Sequence, residues 1–182
     1  MEDKNNLEKL KYPIGIFKKP ENITDDLINN WKKTIQNFPI ELEKTVENLD
    51  LEKLNWIYRP NGWSIKQVTH HCADSHINAF VRFKLALTEE NPIIKPYEEA
   101  KWANLPDGNS DDISCSLSIL KGVHHRWNLI LNYMSKTDFE RNYFHPATQK
   151  NFTLADALGL YVWHCNHHLA HINQALKFEN KF

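Results

Sequence analysis

The sequence predicts an all-α protein, a four-helix bundle, on three observations. Glycine is scarce, at 5 of 182 residues, among many Leu, Lys, Glu and Ala, which favours helix over a turn-rich β fold. The eight prolines fall mainly between periodic segments rather than inside them. Four long stretches repeat apolar residues at helical spacing, and four long helices sharing one core imply a bundle. A chain of 182 residues that is 41% hydrophobic can bury one core and is short for two. Residues 1–182 are therefore read as a single domain, with 1–22 as an N-terminal arm packed on it.

Pro13 and Pro20 bracket that arm, and Tyr12 to Phe17 are expected to pack as an extended strip. Thr24-Asp25-Asp26 offers helix-start chemistry, and a first helix is predicted over about 24–49, with a kink or break at Pro39. Tyr58-Arg59-Pro60-Asn61-Gly62 is turn material. Ser64, with Gln67 three residues on, has the pattern of a capping box, and a second helix follows to about Leu87. Between Asn91 and Ser110 lie Pro92, Pro96, Pro106 and Gly108, in a connection of about 20 residues that a compact domain rarely carries without a use. A third helix is predicted from about Asp112 to Tyr133, with Ile119, Leu120, Val123, Trp127, Ile130, Leu131 and Met134 on its core stripe. Thr137 to Gln149 reads as loop with a short strand or hairpin near Tyr143-Phe144-His145. The last helix is expected to start near Thr153 and reach about Phe178.

Composition narrows the function. Basic and acidic side chains number 22 and 23, a formal net charge of −1, without the basic excess that nucleic-acid binding calls for. No stretch approaches the ~18 apolar residues of a membrane span. The polar start, Met1-Glu2-Asp3-Lys4, lacks the apolar core of a signal peptide. A cytoplasmic protein acting on a small-molecule substrate, with no nucleic-acid or membrane partner, is the expectation. Cys72, Cys115 and Cys165 are odd in number and lack CxxC spacing, so they are read as free thiols.

Histidine, by contrast, is abundant. Of 10 histidines, seven fall in two clusters, His70-His71 with His76 on the second helix, and His164, His167, His168 and His171 on the last. Imidazole is the commonest metal ligand near neutral pH, and two histidines at i and i+4 on a helix share a face. With His168 set at zero and ~100° per residue, the apolar face of the last helix centres near about +40°. On that wheel His164 lies at about −40°, His171 at about −60° and His167 at about −100°. The pair pointing into the bundle is then His164/His168. His167 is expected in solvent or at an interface, and His171 beside the ligands or as an alternative one. On the second helix the apolar face gathers Ile65, Val68, Cys72, Ala79, Phe83 and Ala86. Periodicity excludes His70 there and leaves His71 and His76 in competition. In His124-His125-Arg126-Trp127 only Trp127 fits the core stripe, and the histidines are assigned a surface or structural role.

Several separate motifs, in order, resemble the DinB/YfiT-like family. The run Tyr58-Arg59-Pro60-Asn61-Gly62-Trp63-Ser64 through His70-His71-Cys72-Ala73-Asp74-Ser75-His76 is similar to its second-helix motif. Arg82 to Glu89, Tyr12-Pro13-Ile14-Gly15, Pro96-Tyr97-Glu98, the Trp102 region and His145-Pro146 resemble the YfiT branch. So does the closing Ala157 to His164 with His167-His168 and Ala170-His171-Ile172. The resemblance implies an up-down-down-up bundle, with the long central connection as a crossover. It also implies one divalent ion per subunit, zinc or nickel, held by His71, His164 and His168. It implies a metal-dependent hydrolase forming cytoplasmic homodimers, with related branches that are thiol S-transferases using bacillithiol or mycothiol. Cys72 and Cys165 depart from the family pattern beside the implied ligands.

Three neutral ligands leave a divalent ion its full charge and an open position, as in catalytic sites. Such an ion serves hydrolysis by acidifying water, or thiol transfer by acidifying a thiol. A non-catalytic metal-binding stress or sensor protein is a third reading of the same ligands. Asp74, Tyr161, Glu98 and Glu99 are nominal acid–base candidates, and none has a spacing that forces it into the site.

Overall fold

Side-chain caps mark the starts of three of the four long helices. The computed structural model describes residues 2–182, with side chains from residue 7 onward. A helix α1 (Glu2–Lys11) opens the chain. Thr24 then caps α2 (Asp25–Val46), its hydroxyl accepting from the Leu27 amide. Asp50 caps the single turn α3 (Leu51–Leu54) in the same way. Ser64 and Gln67 close the expected capping box at the head of α4 (Ile65–Thr88). The connection after α4 carries one helical turn, α5 (Glu99–Trp102), and leads to α6 (Ser114–Tyr133), where Asp112 accepts from the Ser114 amide. A short α7 (Lys136–Glu140), unexpected from the sequence, has its own capping box from Ser135 and Asp138. The strands β1 (Asn142–His145) and β2 (Lys150–Thr153) form the anticipated hairpin, pairing Tyr143 with Phe152. Thr153 then caps α8 (Leu154–Phe178).

Pro39 produces no break, one of the two outcomes expected of it. It lies inside an unbroken α2, fully within the core side of the helix. A proline has no N–H for the carbonyl four residues back, here Ile35, and that loss is what normally interrupts a helix. In this protein the freed Ile35 carbonyl accepts instead from Nδ1 of His124 on α6. A tertiary donor replaces the missing helical one.

The packing order follows from which residues meet. Lys66 reaches Asp111, His70 Ser116 and His76 His124, so α4 and α6 run parallel. Trp31 lies against Gly159, near the N-terminal ends of both α2 and α8, so these two are also parallel. Glu43 meets Lys121 and Ile35 meets His124, which makes α2 and α6 antiparallel. His71 meets His168 and Arg82 meets Tyr161, which makes α4 and α8 antiparallel. The bundle is therefore up-down-down-up. The connection from α4 to α6 must run back along a helix of 24 residues, ~36 Å long at 1.5 Å per residue, which accounts for its length. Part of it is pinned to the hairpin by backbone hydrogen bonds between Ile94 and Phe144 and between Phe144 and Pro92.

The predicted stripe of α4 is buried in full, from Ile65 to Ala86. The stripe of α6 is shifted: Leu117, Leu120, His124, Trp127 and Leu131 face inwards, while Ile119 is 40% exposed. The arm also differs from a plain extended strip. Tyr12 to Gly15 form a turn, closed by the Gly15 amide on the Tyr12 carbonyl, with Gly15 at φ +77, a conformation that favours glycine. The arm is fastened to α8 by Trp163 Nε1 donating to the Gly15 carbonyl and by Gln174 donating to the Leu10 carbonyl. No described helix is long and apolar enough to cross a membrane.

Candidate metal centre

Three imidazoles meet where α4 crosses α8. His71 comes from the second turn of α4, and His164 and His168 stand one turn apart on α8. Nε2 of His164 is 3.2 Å from Nε2 of His71 and 3.1 Å from Nε2 of His168. The ligand atoms of all three lie within 4.8 Å of one another. Ser75 Oγ, at 3.4 Å from Nε2 of His164, borders the group.

This donor set fits a divalent cation. Nitrogens bound to one ion at about 2.0–2.1 Å with tetrahedral angles stand ~3.3 Å apart, close to the two separations observed. Burial, aided by His167, lowers the pKa of His71 to about 4. Burial also pushes His164 and His168 well below the ordinary histidine range. All three rings are therefore neutral at pH 7 and offer lone pairs. Lone pairs crowded together repel unless a cation lies among them.

A cavity of about 560 Å³ opens on the trio, walled by Trp63, Ser75, Arg82, Glu99, Tyr161 and the edge of the hairpin at Tyr143 and His145. Arg82 donates from its guanidinium to the Tyr161 oxygen at 3.2 Å. Burial raises the pKa of Tyr161, so the phenol keeps its proton. Burial also raises the Glu99 carboxyl, against the opposing pull of Arg82.

The acid–base candidates separate here. Tyr161 and Glu99 line the cavity. Asp74 lies on the other side of α4, with His70, Asp107 and Asp112, and Glu98 is exposed and pairs with Lys101. Cys72 and Cys165 are both fully buried, and burial raises both thiols far above their ordinary range, so neither is a thiolate. No disulfide forms, and Cys115 is free and exposed.

Four other histidines depart from, or refine, the sequence reading. His76 is fully buried and is not in the trio, but its Nε2 is 3.1 Å from Nδ1 of His164. His171 stands beside the ligands, its Nδ1 3.4 Å from Nδ1 of His168. His167, expected in solvent or at an interface, is 7% exposed, because the N-terminal arm lays Tyr12 over it and Trp163 stacks on it at 4.3 Å. His124, assigned to the surface or a structural role, is 2% exposed and touches His76. Two signals pointed to His124: its place three residues before Trp127 on the stripe, and the carbonyl that Pro39 leaves without a donor.

The sequence pattern of the DinB superfamily matches residues 38–172, a span that contains all of these histidines. The chain belongs to the DinB superfamily. Among its relatives is YfiT of Bacillus subtilis (strain 168), a protein assigned by name to the metal-dependent hydrolases. The two are 44% identical over 165 residues, covering 91% of this chain and 93% of YfiT. A Bacillus cereus (strain 03BB102) protein of the same assigned name is 45% identical over 171 residues, covering 94% and 98%. The solved structure of YfiT, described as that of "a probable metal-dependent hydrolase with an unusual four-helix bundle topology", superposes with a TM-score of 0.90 at 43% identity. It covers 93% of this chain and 97% of the other. The up-down-down-up order found above accords with that description.

Proposed function

We propose that this DinB-superfamily chain is a metal-dependent hydrolase of a small substrate, with one zinc or nickel ion held by His71, His164 and His168. The observation that carries this reading is the set of three neutral imidazoles turned towards one point at the floor of a solvent-reachable cavity. The names of its relatives support it. A cation in such a set supplies an electrophile for a substrate oxygen and acidifies water beside it. The protein's own groups do the rest. Arg82, fixed by Tyr161, presents a cation on the cavity wall that orients an electron-rich group of the substrate. Tyr161 keeps its proton, directs it at the Ser75 carbonyl at 3.5 Å, and accepts from Arg82, which holds that guanidinium in place. Glu99 is the carboxylate among the cavity-lining residues and is placed to take a proton from water.

Metal analysis of the purified protein tests the centre: about one ion per chain is expected, and His164→Ala is expected to lose it. Equal metal in both proteins would discard the assignment. On a panel of esters and amides, Glu99→Gln is expected to lower kcat by ~10²-fold or more with metal content unchanged. An unaltered kcat would remove Glu99 from the reaction. Formation of a thioether from bacillithiol and an electrophile, with no hydrolysis across the panel, would replace the hydrolase reading with thiol transfer.

A further inference from the structure

Two chains of histidines lead away from the ligand trio, and each ends on a backbone carbonyl. In the first, Nδ1 of His124 contacts the Ile35 carbonyl, Nε2 of His124 lies 2.7 Å from Nδ1 of His76, and Nε2 of His76 lies 3.1 Å from Nδ1 of His164. In the second, Nε2 of His171 lies 3.0 Å from the Lys11 carbonyl and its Nδ1 lies 3.4 Å from Nδ1 of His168.

A carbonyl only accepts, and a neutral imidazole has one donor and one acceptor nitrogen. These two facts determine every proton along the chains. Since Ile35 accepts, His124 carries its hydrogen on Nδ1 and accepts at Nε2. His76 must then donate from Nδ1 and accept at Nε2. His164 must donate from Nδ1, which leaves its Nε2 bare. By the same steps, Lys11 places the hydrogen of His171 on Nε2, His168 donates from Nδ1, and Nε2 of His168 is bare. The bare nitrogens are the two that stand 3.1 Å apart in the trio. Burial holds His124 neutral, with its pKa lowered to about 4, so the first chain has no spare proton to blur this order.

We infer that His76 and His124 on one side, and His171 on the other, are positioning residues that fix the tautomers and ring planes of His164 and His168, so that each turns an unprotonated Nε2 to a shared cation. The inference rests on the metal reading above and adds the reason these two rings are ready for the ion before it arrives. It also gives Pro39 a role. A proline inside α2 frees the Ile35 carbonyl to anchor the longer chain. Groups that orient metal-bound histidines commonly change metal affinity by 10–100-fold when lost, and a carboxylate or carbonyl usually serves. Here other histidines transmit the carbonyl's demand from a distance.

Long-range ¹H–¹⁵N spectra of the zinc-free, ¹⁵N-histidine-labelled protein test the inference without any assay of turnover. His76, His124, His164 and His168 are expected as Nδ1–H tautomers, and His171 as Nε2–H. Zinc titration of variants supplies the second measurement. His76→Leu and His171→Leu are each expected to weaken zinc binding 10–100-fold. His76→Gln should recover most of the loss, because an amide can donate to His124 and accept from His164. A wild-type protein that binds zinc with His164 in the Nε2–H form overturns this inference alone, as does His76→Leu binding zinc like wild type. Should the wild-type protein take up no zinc, the metal reading falls and the inference with it. If the leucine variants do not fold, the wild-type tautomers still decide.

Discussion

His124 shows what burying an imidazole does to a protein's response to acid. Burial lowers its pKa to about 4, against a contrary pull from its bond to Ile35. An unfolded chain returns it to about 6.5, so between the two values the unfolded state binds more protons than the folded one. Its contribution to stability is therefore complete above about pH 6.5 and is lost as pH falls towards 4, by on the order of 3 kcal/mol at most. The predicted outcome is a urea midpoint of the EDTA-treated protein that is flat above about pH 7 and declines steadily below about 6.5. A midpoint constant down to pH ~4.5 would contradict the burial assigned to this ring. Sequence reasoning could rank the residues of α8 around one helix axis, and so set His164 and His168 apart. It missed how deeply His124 and His167 are buried, because the partners that bury them come from α2 and from the N-terminal arm, far away in the chain.

Element ends were the most legible part of the fold, since a cap involves residues three apart. Ser64, Thr24 and Thr153 all cap where the sequence places them. Ser64→Ala is expected to cost ~1 kcal/mol, read as a lower melting temperature with metal content intact. The interior of α2 was less legible: Pro39 counts against a helix by local rules, and only the fold shows what takes up the carbonyl it frees. Gly159 carries a further constraint that no local pattern reveals. A Cβ there would stand 2.7 Å from the buried ring of Trp31, where α2 packs against α8. Gly159→Ala is predicted to destabilise by ~1–3 kcal/mol through forced separation of these helices. Thermal unfolding checks it, and an unchanged melting temperature would mean that the contact yields freely.

At the scale of the whole molecule the three imidazoles join α4 to α8, two helices that enter the bundle from opposite ends. An ion that binds only the folded chain stabilises it by RT ln(1 + [L]/Kd), ~2.7 kcal/mol at a hundred times Kd. Zinc is therefore expected to raise the melting temperature over that in EDTA, and His71→Ala to abolish the increment while leaving the EDTA value near wild type. Zinc stabilisation of equal size in that variant would place the ion elsewhere. The pairing of distant segments was legible because helical spacing selected His164 and His168 and left His71 and His76 in competition opposite them, and the family resemblance then implied His71. The cavity above them was not, because its wall is assembled from a turn, a hairpin and a helical crossover that no periodicity links. His71 and His164 stand 93 positions apart. The ribosome must therefore emit those 93 residues, which include all of α6 and the hairpin, before a second ligand exists, so the trio cannot hold a cation while that segment is being made.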